Sequence, residues 1–196
     1  MIAQKPIKIV FLGSDGTGKS TLIRYIKNEL EKEKKTSEVF VFGWKDFKNP
    51  IIKVFSKIYL KNKSKKKKNQ ERLLRFRNRS WFFYFLYYIE LLSRYKKVKK
   101  SKKDYVLIDR YFYEEIMFMS ESQLKFFKKL TPVPNVCFVL KSPIEIIRMR
   151  GHYASKEAFE NFYNHIEKLS KIYQIVMVDS TESLEKIYKK IKSFIP

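Results

Sequence analysis

Gly13-Ser14-Asp15-Gly16-Thr17-Gly18-Lys19-Ser20-Thr21 is the stretch on which this chain turns. It has the form G-x-x-x-x-G-K-S, and it holds three of the five glycines in the sequence. Immediately before it runs Ile7-Lys8-Ile9-Val10-Phe11-Leu12, short and β-rich. Immediately after it, Leu22, Ile23, Ile26 and Leu30 recur at helical spacing. Strand, glycine-rich turn and helix in that order form a loop whose backbone N–H groups face inward around a polyphosphate. Glycine removes the Cβ atoms that would block that approach. A lysine at position 19 suits the β- and γ-phosphates, a Ser20 hydroxyl suits Mg²⁺, and the following helix aims its positive end at the anion. The whole stretch, Gly13 to Thr21, therefore reads as a nucleoside-triphosphate site.

A chain of 196 residues is expected to form one α/β domain over 1–196. Its 44% hydrophobic and 16% aromatic content supply a core despite the charge, so wholesale disorder is excluded. Cys137 is the single cysteine and sits in the apolar run Val136-Cys137-Phe138-Val139-Leu140. No internal disulfide is possible, which suits a reducing compartment. His152 and His165 lack metal-ligand spacing, so any metal is expected to arrive with the nucleotide. The net charge of +23 has two readings, solvated lysine-rich helix faces or attraction to polyanions, and the first is preferred. The run Lys61-Asn62-Lys63-Ser64-Lys65-Lys66-Lys67-Lys68 is denser, and like charges so close predict a basic surface loop over 61–69. Nothing before Ile7 reads as an apolar leader, and the expected location is cytoplasmic. Trp81-Phe82-Phe83-Tyr84-Phe85-Leu86-Tyr87-Tyr88-Ile89 is too short for the ~20 residues of a membrane span. Apolar all round, it predicts a central core helix, with contact at a membrane surface the lesser alternative.

Apolar runs alternate with helical patterns along the rest of the chain, the pattern of a parallel sheet covered on both faces. Strands are predicted at Lys8–Leu12, Glu38–Phe42, Tyr105–Asp109, Asn135–Leu140 and Gln174–Val178. Helices are predicted at Lys19–Lys34, Ile51–Leu60, Gln70–Lys97, Glu121–Leu130, Pro143–Arg150, Lys156–Tyr173 and Glu182–Phe194. Ser120 and Gln123 form a capping box for the fourth helix. Tyr105-Val106-Leu107-Ile108-Asp109 ends in an acid that, after a phosphate loop, reads as a Mg²⁺-holding aspartate. Arg110 follows at once and sets a phosphate-side cation beside it.

The loop, then Asp109-Arg110-Tyr111, then Pro143-Ile144-Glu145-Ile146-Ile147-Arg148-Met149-Arg150-Gly151, with Val178-Asp179-Ser180 after the last strand, resembles the thymidylate kinase family over nearly the whole chain. The resemblance implies a three-layer P-loop kinase fold, a five-stranded parallel sheet with helices on both faces. It also implies an ATP- and Mg²⁺-dependent transfer of the γ-phosphoryl group to a nucleoside monophosphate, dTMP first among acceptors. On this mapping Asp15 faces the acceptor sugar, Arg110 grips the acceptor phosphate and Asp109 manages the metal. Tyr111 joins the acceptor site. Arg148 and Arg150 border a short lid near 150–156, and one of them offers charge to the transferring group. Gly16 stands where some relatives carry an arginine, which fits a subgroup whose catalytic arginine comes from the lid.

The chain also departs from the family pattern. Where relatives commonly carry Arg-Glu-Pro after the second strand, this chain has Val41-Phe42-Gly43-Trp44-Lys45-Asp46. Lys45 is the candidate replacement for that arginine, Trp44 a candidate stacking residue, and Arg79 the candidate base contact. The segment between Gly151 and Lys156 contains no arginine. Two other readings stay open beside the monophosphate kinase: a kinase for a free nucleoside or other small molecule, and a nucleotide-dependent nucleic-acid-binding protein. The resemblance further suggests a homodimer through the exposed face of the Gln70–Lys97 helix.

Overall fold

A computed structural model describes residues 5–42, 81–116, 129–152, 156–171 and 173–195, together with positions 50 and 126. Five strands run in one sheet: β1 (Ile7–Leu12), β2 (Ser37–Val41), β3 (Tyr105–Asp109), β4 (Val136–Lys141) and β5 (Ile175–Asp179). Their order is β2-β3-β1-β4-β5 and every pairing is parallel. The described helices are α1 (Lys19–Lys32), α2 (Trp81–Lys100), α3 (Phe112–Ile116), α4 (Ile144–Met149), α5 (Lys156–Ser170) and α6 (Leu184–Lys192).

The alternation of side chains along each strand assigns the layers. Val10 and Leu12 of β1, Val106 and Ile108 of β3, and Cys137 and Val139 of β4 share one core with Tyr88, Leu91, Tyr95 and Val98 of α2 and Tyr163, Ile166 and Leu169 of α5. The opposite parity, Ile9, Phe11, Tyr105, Leu107, Val136 and Phe138, packs on Leu22, Ile23, Ile26 and Leu30 of α1 and Ile187, Tyr188 and Ile191 of α6. Both faces are therefore covered, which is why the central strands carry the apolar runs Ile9–Leu12, Tyr105–Ile108 and Val136–Leu140. This is the three-layer P-loop kinase fold.

The apolar Trp81–Ile89 stretch requires a correction. In the described part of α2 only one face is buried: Tyr88 is 2% exposed, while Phe85 is 47% and Ile89 42% exposed. A helix in an outer layer offers the sheet one stripe, whatever its other faces carry. Among the described residues no helix is long and apolar enough to cross a membrane. The helices predicted at Ile51–Leu60, most of Glu121–Leu130 with its Ser120/Gln123 capping box, and the basic run at 61–69 lie outside the described residues.

β1 sits in the middle, with β3 on one side and β4 on the other. The crevice beyond its carboxyl end is where ligands collect in open α/β sheets. The loop from Gly13 to Gly18 starts there.

Candidate functional site

The loop's backbone is fixed by close contact. Gly13 has φ 144°, and a Cβ on it would lie 2.8 Å from the Leu140 carbonyl oxygen and 2.9 Å from Thr17 Oγ1. Thr17 in turn donates its hydroxyl to the Ser14 carbonyl at 2.9 Å. Tyr163 of α5 supports the same corner, donating to Leu140 O at 2.7 Å, and burial pushes its hydroxyl pKa up.

The first turn of α1 starts from Gly18 with no side-chain cap and no acidic residue. Its N–H groups and positive end are left for a ligand anion. By contrast, α6 has Ser183 accepting from the Lys186 amide at 3.3 Å and Glu185 in its first turn. α1 thus keeps the amides of its first turn free of a side-chain cap, where α6 does not.

Lys19 is 5% exposed and donates its Nζ to Gly13 O at 2.7 Å and Ser14 O at 2.9 Å. Burial lowers its pKa, and Arg110 lowers it further, against the opposing pull of Glu114, Asp109 and Asp15. Ser20 Oγ donates to Asp109 Oδ2 at 3.4 Å, which joins the loop to the end of β3. The other oxygen, Asp109 Oδ1, is buried with no hydrogen-bond partner.

Arg110 adopts φ 66°, a left-handed backbone that a residue with a Cβ rarely takes. Its Nη2 pairs with Asp15 Oδ1, and its Nη1 donates to Glu114 Oε2 at 2.7 Å. Burial alone would lower the guanidinium pKa, but Glu114 and Asp15 raise it and keep the group charged. Glu114 belongs to α3, and its Oε1 also accepts from the Gly13 amide at 3.3 Å.

Arg150 reaches the loop from beyond α4 and donates Nη1 to Gly16 O at 2.8 Å. His152 lies against the same glycine, so that a Cβ on Gly16 would meet His152 Cδ2 at 2.7 Å. The site over Gly16, where the family resemblance leaves room for an arginine, is covered here by Arg150 and His152.

These residues line a cleft of about 670 Å³. One wall is the loop with Asp109 and Arg110, and Arg150 and His152 close one side. The opposite wall is Ser180, Thr181, Glu182, Leu184 and Ile187. Asp179 Oδ1 accepts from the Thr181 amide at 2.8 Å and from its hydroxyl at 2.7 Å, fixing that wall after β5. Among the described residues no group of three His, Cys, Asp or Glu side chains is arranged to hold a metal by itself.

The structure thus gathers Asp15, Gly16, Thr17, Gly18, Lys19, Ser20, Thr21, Asp109, Arg110 and Arg150 around one cleft. Arg148 stands exposed on α4 and is not among the lining residues. Tyr111 is 1% exposed in the core, with its hydroxyl donating to Pro132 O at 2.8 Å, and it does not line the cleft either. Trp44, Lys45, Arg79 and residues 153–155 lie outside the described residues. Sequence reasoning missed Glu114, His152 and the wall at 181–187. Only Glu114 left a signal, as an acid four residues beyond Arg110 on a helical turn.

The family model for thymidylate kinase matches residues 11–191. Thymidylate kinase from Candida albicans has a similar fold, with TM-score 0.61 and 17% identity over 97% of this chain and 91% of that one. Deoxyadenosine kinase from M. mycoides, solved with the products dCMP and a flexible dCDP, gives TM-score 0.54 and 18% identity over 95% and 97%. The same enzyme with bound dATP gives TM-score 0.56 and 17% identity over 95% and 98%. No curated protein sequence matches at a significant level.

Proposed function

The chain belongs to the thymidylate kinase family of nucleoside monophosphate kinases, and from that premise we propose that it moves the γ-phosphoryl group of ATP to dTMP with Mg²⁺. We take 1–196 as a single P-loop kinase domain with a basic surface loop at 61–69 and a short lid near 150–156. The observation that carries this reading is the meeting of Lys19, Ser20, Asp109, Arg110 and Arg150 at the uncapped start of α1.

Each residue has a task that its position supports. The loop amides and Lys19 hold the triphosphate, Lys19 moving its Nζ from the carbonyls of Gly13 and Ser14 to the phosphate oxygens. Asp109 and Ser20 fit Mg²⁺: both offer hard oxygen donors, and Asp109 Oδ1 is buried without a protein partner. The ion supplies charge neutralisation at the phosphates when bound. Arg110 holds the acceptor phosphate and Asp15 its sugar. Arg150 supplies positive charge from the lid side to the transferring group, which passes in line with no covalent enzyme intermediate. Leu184 and Ile187 give the apolar wall against which the ATP base packs.

The test is ATP consumption with Mg²⁺ across nucleoside monophosphates and free nucleosides, with Lys19→Ala as the blank. Transfer to dTMP is expected, reduced at least about a hundredfold in the variant. Absence of Lys19-dependent transfer to any monophosphate would overturn the reading. A free nucleoside as acceptor is the second reading, favoured by one observation: both η nitrogens of Arg110 already hold carboxylates. Transfer to nucleosides alone would select it.

A further inference from the structure

Two carboxylates hold Arg110, and they differ in kind. The Asp15 side chain is 74% exposed at the cleft mouth, whereas Glu114 is 9% exposed. Glu114 is also tied to the loop, since its Oε1 accepts the amide of Gly13, whose carbonyl receives Lys19. One buried carboxylate therefore connects the first residue of the phosphate loop to the guanidinium after β3. That guanidinium hangs from a residue in the left-handed conformation, which persists only where its surroundings impose it.

We propose that Glu114 is a positioning residue for acceptor binding: it stays on Arg110 Nη1 and aims the guanidinium into the cleft, while Asp15 on Nη2 yields its place to the acceptor's phosphate. The proposal rests on the monophosphate kinase reading and adds to it a fixed and a displaceable anion on one arginine. An arginine held this way meets its ligand pre-oriented, so less ordering is needed when the ligand binds. Glu114 touches neither acceptor nor ATP and acts through Arg110.

Glu114→Gln tests it, because the amide oxygen still accepts the Gly13 N–H while the negative charge facing Arg110 is lost. The KM for the acceptor should rise about tenfold, with the KM for ATP changed less than about twofold. Glu114→Asp, charged but one methylene short of reaching from Gly13 to Arg110, should show the same split. Nitrogen-detected NMR gives a readout that needs no turnover. In the ligand-free wild type the Arg110 Nη signals, assigned by their loss in Arg110→Lys, should be resolved by restricted rotation and should average in Glu114→Gln. An unchanged acceptor KM, or equal rises for both substrates, would overturn the proposal. If Glu114→Gln does not fold, averaged Arg110 signals in the wild type would do the same. If the wild type phosphorylates no monophosphate, the kinase reading fails by itself and the NMR comparison still decides what Glu114 does to Arg110.

Discussion

Among the site's glycines Gly13 faces a backbone obstacle, and it does so at the junction of β1 and the loop. Adding one methyl there sets a carbon 2.8 Å from a backbone oxygen of β4, an atom that cannot rotate away. The left-handed φ adds its own cost. Gly13→Ala should lower stability by about 2 kcal/mol or more in urea unfolding, and a loss below about half of that would mean that β4 can give way. Gly16 differs, because its obstacle is the His152 ring, a side chain just beyond α4. At this scale the sequence was legible where contacts are local: nine consecutive residues between a strand and a helix foretell a glycine-rich turn because neighbours in the chain are neighbours in the cleft. His152 was not legible for the opposite reason, and of Glu114 only the tie to Arg110 four residues away left a trace. Their partners in the loop, Gly16 and Gly13, are supplied by folding from far along the chain, and no nearby pattern specifies those contacts.

The strands were the most legible elements. All five observed strands begin and end within one residue of expectation, the central ones because a strand covered on both faces is mostly apolar and stops where the apolar run stops. Helix α3 was not foreseen, as five residues after a strand end carry too few turns to show a period. The exposed face of α2 was misjudged since hydrophobicity alone does not say which side meets the sheet. Contacts between helices can be tested across α1 and α6, where Glu33 accepts from the Tyr188 hydroxyl at 2.8 Å and from Lys192 Nζ at 2.6 Å. The bond from Lys192, then that from Tyr188, lowers the Glu33 pKa. A carboxyl with a depressed folded-state pKa stabilises above its ordinary value, and that contribution is lost as pH falls through the lowered one. Glu33→Gln should therefore be less stable than wild type near neutrality, by under about 1 kcal/mol at so exposed a pair, and indistinguishable from it in acid. A gap that persists once Glu33 is fully protonated would mean the difference arises from shape rather than charge.

Over the whole molecule the net charge of +23 works against compactness. The described ion pairs are mostly exposed, such as Lys189–Glu185 and Lys186–Glu182, and offset little of it. Self-repulsion is screened by salt, so raising NaCl from about 0.05 to about 0.3 M should increase Tm by roughly 2–4 °C. A fall in Tm would show that attractive pairs outweigh the repulsion. The parallel sheet has a second consequence, in time rather than in energy. β1 pairs with β3 and β4, and the loop it carries is joined to Glu114 across 101 residues and to Arg150 across 134. Such pairings form slowly and only after the distant partner exists. During synthesis the loop leaves the ribosome long before any of its walls has been translated. A nascent chain halted after β3 would display the complete nine-residue motif and still lack β4, Arg150 and the wall at 181–187. A complete cleft thus becomes one of the last features the growing polypeptide acquires, and a chain that has it has been made at least as far as α6.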